Sequence, residues 1–228
     1  MRSSAIQEMT TLISLVEDLR SNRRLELQEQ VKKLLETFPA AARKSRVLFK
    51  PNFNMMKLCG LGADEVRHSA ILAWLLDENA SHAHGNLFLE AFSSVVGLEL
   101  ENETAGYVVS AEFPGFESIT DIVVYRTSDF FISIENKINA KEGGDQLNRE
   151  YRDRERYADS LNIPPNRRVS VFLTPDGRQP KTGNPHSWCQ LSYSRMAEAF
   201  RTISYQNTGQ KLRFFVEDWF ASIKNNNE

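Results

Sequence analysis

The sequence has 228 residues, of which 41% are hydrophobic and 25% charged, with 28 Lys and Arg against 30 Asp and Glu. These proportions are typical of a globular protein, and the net charge of -2 excludes a histone-like binder while leaving room for a local basic cleft. The cysteines Cys59 and Cys189 are too few for a disulfide scaffold or a cysteine-based zinc module. No apolar run reaches the roughly 20 residues of a membrane span, and no secretory leader is recognisable. We therefore expect a cytoplasmic protein with no membrane partner.

The first 50 residues predict a helical N-terminal arm. Apolar residues recur at steps of three and four through 6–19 and again through 27–35, which is the spacing of one helical face. Pro39 then ends the pattern, because proline is poorly tolerated inside a helix. Two interpretations of the arm stay open: a pair of helices packed on its own core, and a dimerisation or partner surface. Residues 51–228 are expected to form one domain.

Helices and then strands are predicted next along the chain. Asp64 can cap a helix that ends near Asp77, and residues 87–96 predict a second amphipathic helix. The period then changes to that of strands, which are predicted near residues 107–112, 119–125 and 130–135. The last of these is apolar almost throughout, as expected for a strand buried on both faces. Short links between the strands predict an antiparallel meander.

The second half of the chain predicts a crossover and a closing layer of helices. Gly143 and Gly144 break the chain before a highly charged helix over 145–158. A strand over 169–173 and helices over 193–204 and 210–223 follow. The order of these elements predicts the α/β class, with a mixed central sheet in addition to the N-terminal helical arm.

The most informative polar residues are Asp121, Glu135 and Lys137. Asp121 stands near the start of the second predicted strand, and Glu135 and Lys137 close the third, where alternate residues point to one face. Neighbouring carboxylates repel unless a cation neutralises them, and Mg²⁺ prefers oxygen ligands and keeps waters that a phosphate can displace. The backbone carbonyl of Asn136 could supply a further oxygen, and Lys137 could orient the attacking water, so these residues suit phosphodiester hydrolysis. The alternative is a surface salt bridge between Glu135 and Lys137.

Several stretches of the chain carry a resemblance to a known family. They are I-T-D-I-V at 119–123, I-S-I-E-N-K-I at 132–138, Gln146-Leu147, E-x-x-H-S from Glu65, Ser81-His82, F-L-T-P-x-G at 172–177 and L-S-Y at 191–193. Together, over residues 50–224, they resemble one bacterial and phage branch of the PD-(D/E)XK nuclease superfamily. The resemblance implies a restriction-endonuclease-like αβββαβ core. It also implies a metal-dependent nuclease that hydrolyses phosphodiester bonds in DNA, with RNA a weaker variant and Mg²⁺ or Mn²⁺ as cofactor.

The resemblance also implies roles for individual residues. Asp121 and Glu135 would be metal ligands, Lys137 the catalytic lysine, and Glu65 a residue that completes the metal site or holds a water there. The alternative for Glu65 is a first-turn acid that favours the helix dipole. Gln146 resembles a glutamine that follows the motif in branches where a tyrosine stands four residues later. This chain departs from that pattern, because position 150 is Glu and Tyr151 lies five along, past the same helix face.

Cations of the charged helix are predicted to contact a phosphate backbone. Arg149, Arg152 and Arg156 recur at spacings of three and four, on one helical face. Interspersed acids leave a solvated, salt-bridged face as the alternative. His68, three residues after Glu65, could reach a phosphate, and the alternative is a hydrogen-bonded structural histidine.

Two further interpretations stand beside the nuclease. One is a non-catalytic module that binds nucleic acid or protein on the same fold, and the other is a structural or regulatory subunit that uses residues 1–50 as its working surface. A homodimer is expected for the nuclease, because members of the superfamily that cut both strands often pair. Host defence or a mobile element is the biological setting that the resemblance implies.

Overall fold

A computed structural model of the protein describes Glu29 and residues 54–100, 105–140, 142–203 and 210–223. The chain divides into two units, Met1–Phe53 and Asn54–Glu228, and the elements below belong to the second. The predicted N-terminal arm therefore lies outside the described residues, apart from Glu29, which is helical and exposed. No helix in the described ranges is long and apolar enough to cross a membrane.

The secondary structure of the described unit follows the predicted order closely. The helices are α1 (Met55–Leu58), α2 (Glu65–Leu76), α3 (Leu87–Val95), α4 (Gln146–Ser160), α5 (Tyr193–Arg201) and α6 (Gln210–Ile223). The strands are β1 (Val108–Pro114), β2 (Ile119–Arg126), β3 (Phe130–Asn136), β4 (Arg168–Thr174) and β5 (Cys189–Ser192). Short 3₁₀ turns precede β4 and β5, at Pro165–Arg167 and Pro185–Ser187.

The strands form one mixed sheet in the order β1-β2-β3-β4-β5. The first three run antiparallel, whereas β3, β4 and β5 are parallel, with α4 as the crossover between β3 and β4. Every residue of the central strand β3 is buried, as its apolar sequence predicts. The predicted α/β class and restriction-endonuclease-like core are confirmed.

The two faces of the sheet are covered differently. One face carries the larger core, in which Ile132 and Ile134 of β3 pack with residues of α2, α3, α5 and α6. The opposite face is covered by α4, where Val123 and Phe131 pack with Ala158. Because side chains alternate along a strand, Glu135 lies on the α4 face, two residues on from Ser133. This alternation places the acidic residue of β3 under the charged helix.

The observed element boundaries agree with the predicted ones at some positions and differ at others. The side chain of Asp64 accepts a hydrogen bond from the Arg67 N–H at 3.0 Å, so it caps α2 as predicted. The first strand runs on to Pro114, beyond its predicted end at Glu112. Strand β5 was not predicted, because four residues with two polar members give no clear period, and its pairing with β4 is a tertiary contact.

Candidate metal and active site

The sheet brings Asp121 and Glu135 together. Ile122 of β2 pairs with Ile134 of β3 in antiparallel register, which places Asp121 across from Glu135 at the end of the two strands. The backbone N–H of Asn136 donates to Asp121 Oδ2 at 2.8 Å, so the carboxylate is fixed against the tip of β3. Burial raises the pKa of Asp121, and the hydrogen bond from Asn136 opposes that shift.

Glu135 is fully buried, and its two oxygens differ in their contacts. Oε1 lies 2.6 Å from Lys137 Nζ and accepts a hydrogen bond from Gln146 Nε2 at 2.7 Å. Oε2 has no hydrogen-bond partner among the described residues. Burial raises the pKa of this carboxyl group, and the neighbouring Asp121 raises it further. A buried oxygen without a donor is costly, so Oε2 is the atom that a cation would satisfy.

Lys137 supplies positive charge at the same point. Its side chain is 11% exposed, and its ammonium lies 2.6 Å from Glu135 Oε1 and 4.0 Å from Glu65 Oε2. Burial acts to lower the pKa of Lys137, but the attraction of Glu135, Asp121 and Glu65 outweighs it and raises the pKa. The amine is therefore a fixed cation at neutral pH.

Glu65 connects α2 to the segment that follows β3. Its Oε1 accepts hydrogen bonds from three consecutive backbone N–H groups, those of Ile138, Asn139 and Ala140, each at 2.8 Å. Its Oε2 makes the 4.0 Å contact with Lys137. Glu65 thus holds the chain in place immediately after Lys137 and keeps one oxygen on the side of the site. It is more than the first-turn acid of the alternative interpretation.

Asn136 anchors the tip of β3 from the other face of the sheet. Its side-chain amide donates to Ser69 Oγ at 3.0 Å, and its carbonyl accepts from the Tyr193 hydroxyl at 2.9 Å. Burial raises the pKa of Tyr193, which keeps the hydroxyl a donor. Ser69 and Tyr193 had no role in the sequence interpretation, although both stand in motif stretches. In the sequence, each could have been noticed as a polar group followed three and four residues later by apolar residues on the same helical face.

Gln146 and Glu150 complete the site from α4. Gln146 Nε2 donates to Glu135 Oε1 at 2.7 Å and to Glu150 Oε1 at 2.8 Å. Glu150 is fully buried, and burial together with the nearby Glu135 raises the pKa of its carboxyl. The sequence interpretation placed Glu150 among solvated acids. The signal it missed is that Leu147, Glu150, Arg154 and Ala158 share one helical face, with apolar residues at both ends.

Tyr151 does not take part in the site. It packs beside the cluster of Leu147, Phe172 and Trp188, and the Arg154 guanidinium lies 4.5 Å from the centre of its ring. This position agrees with the sequence, in which Tyr151 lies five residues after Gln146 and therefore past the helix face that Gln146 occupies.

His68 is buried on the core side of α2. Its Nδ1 accepts a hydrogen bond from Trp219 Nε1 at 2.7 Å, and the two rings stack. Burial lowers the pKa of His68, so the ring is neutral. The position fits the structural alternative, and the ring offers no surface to a phosphate.

The arginines of α4 divide into two kinds. Arg152 and Arg156 both reach the carboxylate of Glu117 in the β1–β2 turn, at 2.6 and 3.1 Å. They match the salt-bridged alternative. Arg149 donates to the Gly144 carbonyl at 3.1 Å and forms no ion pair with another described residue.

The donor set of the site fits a hard divalent cation. Among the described residues, no three His, Cys, Asp or Glu side chains are arranged to hold a metal ion by themselves. Mg²⁺ does not require such a cage, since one or two carboxylates with waters and substrate oxygens suffice. Asp121 and Glu135 supply two carboxylates, and Oε2 of Glu135 has no hydrogen-bond partner in the part of the chain that the structure describes.

A family model gives independent support for this interpretation of the fold. The model of the PD-(D/E)XK nuclease superfamily matches residues 53–221. This range includes β1 to β5 and the acidic residues Glu65, Asp121 and Glu135. No curated protein and no solved structure matches the chain. The order of elements in the sheet agrees with the family match. The chain belongs to the PD-(D/E)XK nuclease superfamily.

Proposed function

We propose that the protein is a divalent-metal-dependent nuclease that hydrolyses phosphodiester bonds in DNA. Membership of the superfamily suggests a phosphodiester hydrolase and a nucleic-acid substrate. The observation that carries the proposal is the buried carboxylate of Glu135, which lies across from Asp121 and whose Oε1 is 2.6 Å from the ammonium of Lys137. DNA as substrate and Mg²⁺ or Mn²⁺ as cofactor rest on the sequence resemblance and on the oxygen donors.

The residues divide the work between holding the cation and handling the phosphate. Asp121, Glu135 and the backbone carbonyl of Asn136 would hold the metal, and Glu65 would support it through its second oxygen. The bound ion would act as a Lewis acid and lower the pKa of a water. Lys137 donates hydrogen bonds to the attacking water and offsets negative charge that develops on the phosphate. Glu65 and Gln146 keep Lys137 and Glu135 in place during this step.

Unpaired cations mark the edge at which a nucleic acid would lie. Strands β3, β4 and β5 point the same way, so their C-terminal ends meet the edge of the sheet that carries Glu135. Arg149, Lys181 and Arg195 stand in the segments that follow these three strands. None of the three forms an ion pair with another described residue. Phosphate contacts need such cations, and we include them in the proposed nucleic-acid surface.

A buried carboxylate fixes the loop that carries Lys181. Glu142 accepts hydrogen bonds from the backbone N–H groups of Lys181 and Thr182, at 2.7 and 2.8 Å, and from the Thr182 hydroxyl. The Arg178 guanidinium pairs with the same carboxylate. The segment after Lys137 and the loop after β4 are therefore joined at the proposed surface.

Cleavage of supercoiled plasmid and of a labelled single strand tests the proposal. We expect cleavage with Mg²⁺ or Mn²⁺ and none in EDTA. Lys137→Met should reduce the rate by at least about 100-fold, since a positioned group of this kind contributes 10²–10⁴. Its circular dichroism should be unchanged. Equal rates for Lys137→Met and the unaltered protein would contradict the proposal.

A non-catalytic binding module is the second candidate, and one contact favours it. The 2.6 Å pair between Lys137 and Glu135 is buried, unlike the surface salt bridge of the alternative interpretation, and it would persist in a protein that only binds. Oligonucleotide binding without cleavage at any divalent metal would select this candidate. We also propose that the nuclease forms a homodimer. Sedimentation velocity of the full chain would test this.

A further inference from the structure

Glu150 makes a contact that the proposed mechanism does not use. It is a fully buried carboxyl group on α4, its Oε1 accepts from Gln146 Nε2 at 2.8 Å, and a side-chain hydrogen bond also joins it to the Glu135 carboxyl. The same nitrogen of Gln146 donates to Glu135 Oε1 at 2.7 Å. One amide group thus joins two buried carboxylates.

The stability of the fold gives no reason for an acid at this position. A buried carboxyl group is unfavourable, and an apolar side chain of similar volume usually serves a core as well or better. Leu147 and Ala158 show that the same face of α4 accepts apolar residues. The acid must therefore serve the site itself or have no role.

Gln146 needs Glu150 to hold its orientation. Each of the two N–H bonds of the amide reaches one carboxylate, and the amide oxygen accepts only a longer hydrogen bond, 3.3 Å, from the Gly143 N–H. Without the acceptor at position 150, one N–H would be left unsatisfied and the amide would be free to turn. Glu135 Oε1 would then keep Lys137 as its remaining donor.

We propose that Glu150 is a positioning residue of the metal site, which acts through Gln146. It holds the amide so that Gln146 and Lys137 together saturate Oε1 of Glu135, and Oε2 is left as the atom that faces the cation. The inference rests on the proposed function, because it assumes that Glu135 is a metal ligand. Outer-shell partners of this kind orient a ligand and commonly contribute 10–100-fold to metal affinity.

Metal binding by the full chain, without nucleic acid, tests the inference. Mn²⁺ affinity is measured by calorimetry and by electron paramagnetic resonance for Glu150→Met, Glu150→Gln, Gln146→Met and the double variant Glu150→Met with Gln146→Met. We expect Glu150→Met to bind Mn²⁺ 10–100-fold more weakly with no fall in Tm, since it removes the acceptor but not the packing volume. Glu150→Gln keeps an acceptor oxygen and should stay within a few-fold of the unaltered protein.

The double variant tests whether Glu150 acts through Gln146. If it does, the double variant loses no more affinity than Gln146→Met alone, whereas independent contributions would multiply. The matched control is Glu155→Met on the same helix, whose carboxylate pairs with Arg154 and Arg168 and, among the described residues, with none of the site. It should leave Mn²⁺ affinity unchanged.

Three results would overturn the inference. They are unchanged affinity in Glu150→Met, equal losses in Glu150→Met and Glu150→Gln, and losses that multiply in the double variant. Failure of the proposed metal site is a separate outcome, because the unaltered protein would then bind Mn²⁺ no better than Asp121→Asn. That result would remove the inference and the metal site together, whereas the first three leave the metal site standing.

Discussion

The Glu135 carboxylate shares its surroundings with a second buried carboxylate, that of Glu150, and the cations near them do not balance both. Lys137 contacts Glu135, and the Gln146 amide bridges the pair. Burial raises the pKa of Glu135 and of Glu150, because desolvation disfavours the charged form, and the charge of Glu135 raises the pKa of Glu150 further. These two buried carboxyl groups therefore make the stability of the metal-free protein depend on pH.

The sign of that dependence follows from proton linkage. An unfolded Glu has a pKa of about 4.3, so above this pH the folded state binds more protons than the unfolded state and is progressively destabilised until the folded pKa is passed. Glu150→Gln removes one of the two groups. We expect its Tm in EDTA to exceed that of the unaltered protein by a margin that grows from pH 5 to pH 8, as calorimetry or circular dichroism would show. A margin that shrinks over this range would contradict the assignment.

At the scale of elements, α4 serves two regions at once. Its first turn carries Gln146 at the site, and Asp153 further along accepts hydrogen bonds from the Glu117 and Ser118 N–H groups of the β1–β2 turn. That turn leads into β2 two residues before Asp121. The helix therefore positions β2 through the turn and Glu135 of β3 through the glutamine.

Gly115 leaves room for the Asp153 contact with this turn. A Cβ atom at position 115 would lie 2.2 Å from Asp153 Oδ2 and 2.7 Å from the Ser118 carbonyl oxygen. We expect Gly115→Ala to lower the free energy of unfolding by about 1–3 kcal/mol, the usual cost of overpacking. Urea unfolding would measure this, and Ser118→Ala, which keeps the Ser118 N–H bond to Asp153, should cost less. An unchanged midpoint in Gly115→Ala would show that the turn is not tied to α4.

Helix α5 offers a matched pair of cations for the proposed nucleic-acid surface. Arg195 lies in its first turn, at the edge of the sheet with Glu135, and Arg201 lies at its other end, and both are exposed. We expect Arg195→Ala to reduce the slope of log K against log salt by about 0.9 for duplex DNA, as one lost phosphate contact does. Fluorescence anisotropy in EDTA would measure the slope. Arg201→Ala should leave it unchanged, and equal effects of the two variants would place the surface elsewhere.

For the whole molecule, the proposed function predicts that folding and metal binding are coupled. Asp121 on β2, Glu135 on β3 and Glu65 on α2 come together only in the folded sheet, so a cation bound there stabilises the native state alone. We expect Mg²⁺ at 100 times its Kd to add about 2.7 kcal/mol and to raise Tm. Asp121→Asn should abolish most of the rise at the same Mg²⁺ concentration. An equal rise in both proteins would mean that the ion binds elsewhere.

Much of the fold and the centre of the site could be predicted from the sequence. The apolar run of β3, the Asp64 cap and the change of period specify elements whose signals lie within a few neighbouring residues. Asp121, Glu135 and Lys137 could be grouped because short links between strands leave few arrangements. The metal-ligand roles of Asp121 and Glu135 stay predictions.

By itself, the sequence determined the order of the elements and the α/β class, and it predicted that Asp121, Glu135 and Lys137 lie together, because these depend on local period and on nearby strands. Only the tertiary structure decided which charges are buried. Glu150 is buried, whereas Arg152 pairs with Glu117. In the sequence of α4, both are charged residues among other charged residues, so no local pattern distinguishes the buried one. Strand β5 and the Asn136–Tyr193 bond are likewise contacts between residues distant along the chain. Such contacts leave no local pattern, so their partners appear only once the sheet has formed.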